Sequence, residues 1–77
     1  MFVISGRVLS LREDGFLLSP PEGSQVVIRT LRAGRELGLK VGERVEVYGG
    51  PSVDEEGVFL SSRICRLDGT EVSSFRR

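Results

Sequence analysis

The chain has seventy-seven residues, a single cysteine (Cys65) and no histidine. That length suits one domain near the smallest that folds without disulfides or metal, one cysteine forms no internal disulfide, and the missing imidazole removes the commonest general base and metal ligand. Eleven basic residues, ten of them arginine, balance eleven acidic ones, so no long-range field favours a polyanion or an anionic membrane.

Phe2 to Arg12 (FVISGRVLSLR) reads as a long first strand. Its apolar residues change parity near Gly6 to Val8, which predicts a bulge or bend that lets its two ends pair with different partners. Glu13-Asp14-Gly15 is a tight turn into a short second strand, Phe16 to Ser19, which Pro20 and Pro21 end because neither can donate to a ladder. Ser24 to Thr30 is a third strand with Val26 and Ile28 on one face and Val27 and Arg29 on the other.

Leu31 to Lys40 is the only candidate for helix, and Gly34 and Gly38 reduce it to a single turn or irregular connector. Val41-Gly42-Glu43 turns into a fourth strand, Arg44 to Tyr48, with Val45 and Val47 inward and Arg44 and Glu46 outward. After the loop Pro51 to Gly57, a fifth strand runs from Val58 to Leu67. Its core face is expected to be Val58, Leu60, Ser62 and Ile64, which leaves Phe59, Ser61, Arg63 and Cys65 on the other. Residues 1–67 therefore form one barrel domain, and 68–77 a polar tail with one aromatic, Phe75. The fold class is all-β, a small five-stranded antiparallel barrel, since closure buries one face and removes the sheet edges. An SH3-like barrel is the alternative, which a first strand pairing on both sides would exclude.

This order resembles the OB-fold: a bent first strand with an inner glycine, a three-strand meander, a connector, then the hairpin "LKVGERVEVYGG…EEGVFLSSRICRL". The resemblance covers about residues 2 to 67 and includes small bacterial nucleic-acid-binding domains. It implies function on the outer face of strands two and three, flanked by the first-turn and last-hairpin loops.

OB-folds that bind single strands stack bases on aromatic rings and hold the backbone with cations. Arginine suits the second task because its planar fork grips phosphate and stacks on bases. The outward candidates for nucleic-acid binding are Arg7, Arg29, Phe59 and Arg63, with Phe59 beside Arg63 as the stacking pair. Against this reading, Glu13-Asp14 and Asp54-Glu55-Glu56 place carboxylates on both flanking loops. Asp54-Glu55-Glu56 also lacks the alternating ligand spacing of a calcium loop.

Cys65 has no base to activate it and reads as a packing residue. With no catalytic residue set, no metal site and no cofactor motif, a non-enzymatic binding module is expected. Its partner would be single-stranded DNA or RNA. The alternative is a protein-interaction or assembly module using Leu17, Val27 and Phe59 against another protein or itself. No apolar run approaches the roughly 20 residues of a membrane span, and Met1 to Arg7 lacks the order of a signal peptide, so a cytoplasmic location is expected.

Overall fold

The computed structural model describes residues 1–72. Six strands follow in order: β1 Phe2–Arg12, β2 Gly15–Ser19, β3 Val26–Arg29, β4 Arg44–Pro51, β5 Val58–Arg66 and β6 Glu71–Val72. β1 pairs antiparallel with β4 through residues Phe2 to Arg7 and with β2 through Arg7 to Arg12. β2 pairs with β3, and β4 with β5, also antiparallel. β3 then runs parallel to β5, from Val27↔Val58 to Arg29↔Leu60, and this ladder closes a five-stranded barrel. The barrel is thus mixed, not purely antiparallel as expected from the hairpin pattern. The connector between β3 and β4 carries the chain back before β5 begins, which makes the closing ladder parallel. A first strand paired on both sides excludes the SH3-like alternative and is compatible with an OB-like fold.

The bend in β1 is a bulge. Val8 pairs with Leu18 and Ser10 with Leu17, so Leu9 has no partner. Gly6, Val8 and the half-buried Ile4 face the core before the bulge. The parity change therefore falls just after Val8, later than the Gly6–Val8 stretch that the apolar pattern marks. Gly6 serves close approach: a Cβ there would lie 2.3 Å from the Ser19 carbonyl oxygen and 2.9 Å from Pro20 Cα.

A second bulge lies in β5. Tyr48 pairs with Arg63 and Gly49 with Ser61, leaving Ser62 as the extra residue. A bulge adds one residue to a period of two, so the inward parity is odd before Ser62 and even after it. Phe59 and Ile64 are both buried as a result, at 7% and 0% exposure, while Leu60 is 45% exposed. The expected core face of β5 is therefore correct at Ile64 and inverted at Phe59 and Leu60.

Val8, Phe16, Leu18, Ile28, Val45, Val47 and Ile64 form the fully buried centre. The connector holds one 3₁₀ turn, Gly34–Leu37, and buries Leu37 and Leu39 against that centre. Glu36 accepts a hydrogen bond from the amide of Ala33 (3.2 Å), the residue that caps the turn. A Cβ on Gly34 would sit 2.1 Å from the Gly15 carbonyl oxygen, so this glycine lets the connector lie directly on the β1–β2 turn. The sheet continues past Leu67, because β6 pairs with β5 (Ile64↔Val72, Cys65↔Glu71) and buries Val72. β5 thus has β3 beside its first half and β6 beside its second. Phe75 and the rest of 73–77 lie outside the described residues.

Candidate nucleic-acid interface

The four arginine and aromatic positions expected to bind do not form one site. Arg29, on β3, pairs with Asp14 of the first turn (Nη2 to Oδ2, 3.4 Å) and with Glu55 of the β4–β5 loop through Nη1. Arg12 holds the other Asp14 oxygen at 2.8 Å, and Arg35 holds Glu13 at 2.6 Å. Glu13, Asp14 and Glu55 are therefore each paired with an arginine, and Arg29 is occupied as the strut between the two acidic loops. The Arg12 guanidinium pulls the Asp14 carboxyl below its ordinary range, mainly by direct hydrogen bonding. A strand crossing this wall would first have to displace two carboxylates from Arg29.

Phe59 is corrected outright. It lies in the core opposite Pro51 and Ile28, and it offers no ring to solvent. The outer row of this wall is instead Leu17, Val27 and Val58, which lie in register across β2, β3 and β5 and are half-buried. Leu60 extends the apolar surface beside Arg29.

Arg7 and Arg63 lie on another wall, the outer face of β1, β4 and β5. Val3, Tyr48 and Arg63 share one cross-strand row there, and Arg7 stands directly opposite Arg44 in another. The Arg63 guanidinium carbon lies 5.2 Å from the Tyr48 ring centroid, within cation–π range. The Tyr48 hydroxyl donates to Glu46 (3.2 Å), and this bond raises the phenol's pKa above its usual value. Arg63 also approaches Glu71 at 3.8 Å. Arg7 donates to the Gly42 carbonyl (3.0 Å), which ties its side chain to the turn before β4.

The residues that sequence reasoning missed here are Tyr48 and Arg44. Both share the outward parity of Glu46 on β4, so the alternation contained their direction. Their partners depend on cross-strand register: the β1–β4 ladder sets Arg44 opposite Arg7, and the β4–β5 ladder, shifted by the Ser62 bulge, sets Tyr48 opposite Arg63.

Among the described residues no three His, Cys, Asp or Glu side chains are grouped to hold a metal ion. No described helix is long and apolar enough to cross a membrane. Comparison with known protein families, with characterised proteins and with solved structures finds no match for this chain.

Proposed function

We propose that this protein is a non-enzymatic, OB-like binding module of the cytoplasm whose β1–β4–β5 outer wall binds single-stranded DNA or RNA weakly and with little sequence preference. The observation that carries this reading is the Tyr48–Arg63 stack, with Arg7 and Arg44 further along the same wall. It takes the role first assigned to Phe59 and Arg63. A ring with a guanidinium over it presents a flat cationic surface, and bases stack on aromatic rings and arginine planes alike. The neutral net charge and the nearby Glu46 and Glu71 agree with weak, salt-sensitive binding.

The test is fluorescence anisotropy of labelled single-stranded oligomers at about 50 and 200 mM salt, where phosphate contacts weaken. Affinity should fall with salt and fall again, by roughly 5- to 100-fold, in Tyr48→Leu, as loss of one stacked base predicts. Absence of binding at about 100 μM, the weak end of non-specific affinity, rejects the reading.

The in-register apolar row Leu17, Val27 and Val58, with exposed Leu60, favours a second reading as a protein-interaction module. That reading expects a solution mass above 8.5 kDa, or a co-purifying partner, that Val58→Asp abolishes.

A further inference from the structure

We propose that Arg7 and Arg44 form a binding site for a phosphate monoester group; the identity of the ligand as a strand end rests on the nucleic-acid reading above. The two arginines are a directly opposed cross-strand pair in the β1–β4 ladder, a placement that brings their side chains close. Like charges in such a pair repel and destabilise the sheet unless an anion lies between them. Among the described residues no carboxylate oxygen comes within 4.0 Å of either guanidinium. The neighbouring acids are otherwise engaged: Glu43 accepts from the Lys40 amide and faces Arg66 at 3.4 Å, Glu46 accepts from Tyr48, and Asp68, which borders Arg44 on its other side, accepts from the Thr70 amide.

The pair also borders a concavity. A cleft of about 250 Å³ opens beside Arg7 and Arg44, walled by Ser19, Pro20, Pro21 and Leu67, with Glu46 also on its rim. That volume is below the roughly 300–1,000 Å³ of sites for drug-sized ligands, so it suits a single small group. The wall stands where Ser19 and Pro20 pass close over Gly6, and the two prolines fix its backbone. Arg7 is already oriented by its bond to Gly42, which leaves other N–H donors of its fork available.

Two cations and several donors match a phosphate monoester better than its alternatives. A monoester is close to dianionic at neutral pH and presents three terminal oxygens. A carboxylate or an internal phosphodiester carries one charge and two acceptors. Forked arginine contacts to phosphate are bidentate and charge-assisted, which gives both affinity and geometry.

The thermal midpoint is measured in orthophosphate and in chloride of equal ionic strength. In the same series a 5′-mononucleotide is added, and a single-stranded oligonucleotide is compared with and without a terminal phosphate. A ligand that binds only the folded state raises the midpoint. Orthophosphate and the mononucleotide should raise it in the wild type and not in Arg44→Gln or Arg7→Gln. In chloride, Arg44→Gln should melt no lower than the wild type, because half of a repelling pair is gone. The phosphorylated oligonucleotide should bind roughly tenfold or more tightly than its dephosphorylated form, the scale of one charged hydrogen bond, and Arg44→Gln should erase the difference. A phosphate-specific shift without any oligonucleotide binding upholds the site and rejects the nucleic-acid reading. Equal midpoints in phosphate and chloride, with oligonucleotide binding indifferent to the terminal phosphate, overturn the site while that reading stands.

Discussion

Phe59 carries more of the core than its place beside a loop suggests. It is buried at 7% exposure in the ladder that closes the barrel, opposite Ile28 on β3 and Pro51 on β4. Phe59→Ala should lower the unfolding free energy by about 3–5 kcal/mol through lost burial and the cavity left behind. A chain of 77 residues holds roughly 4–12 kcal/mol in all, so much of the stability would go. Urea denaturation followed by circular dichroism reads this directly. A change below about 0.5 kcal/mol, the range of surface substitutions, would return Phe59 to the outer face. The loss of fold also means that Phe59 cannot serve as a binding variant, whereas Tyr48 can.

At the scale of elements, the two bulges decide which residues meet. Leu9 in β1 and Ser62 in β5 each shift one half of a long strand by one residue relative to the other. Without the Ser62 bulge, a β5 that kept Ile64 inward would turn Phe59 to solvent and Leu60 to the core. Deleting Ser62 should therefore set the β4–β5 register against the β3–β5 ladder. The expected result is loss of dispersed amide signals in a ¹⁵N correlation spectrum. Deleting Asp54 from the exposed β4–β5 loop is the control, since it alters no strand parity, and its spectrum should stay dispersed. Two dispersed spectra would mean that the bulge does not set the faces of β5.

For the whole molecule, charge links the loops that flank the first wall. Arg12, Asp14, Arg29 and Glu55 form one chain of ion pairs from the β1–β2 turn to the β4–β5 loop. Asp14 is held below its usual pKa by the Arg12 hydrogen bond, and Asp68 by the Thr70 amide (2.8 Å). A carboxyl whose folded pKa is depressed binds protons more readily when unfolded. Its stabilisation is present above the ordinary 3.8 and is lost as pH falls through the lower folded value. Tyr48 has the opposite sign: its raised pKa adds stability present below 10.0 and lost as pH rises through the folded value. Urea midpoints should fall on both the acid and the alkaline side of neutrality. Asp14→Asn should flatten the acid limb, and an unchanged acid limb would deny Asp14 this role. Because Asp14 and its partners are partly exposed, added salt should shrink the effect.

The strands themselves could be read from the residues one after another. β1 runs over the expected Phe2–Arg12, the connector is a single turn, and Val45 and Val47 face inward as their alternation requires. These are local properties: period-two apolarity, prolines that cannot pair, and glycines that unsettle a helix all act within a few residues. The bent first strand was legible for the same reason, since its parity changes within its own sequence. Which side of β5 faces the core was not, because Ser62 bulges only against Tyr48 and Gly49, more than ten residues earlier. The parallel β3–β5 closure, the capture of Arg29 by both acidic loops, and the pairing of Arg7 with Arg44 are likewise contacts between distant segments. Strand propensity and alternation belong to the chain, whereas register and charge partnership exist only once the barrel has closed.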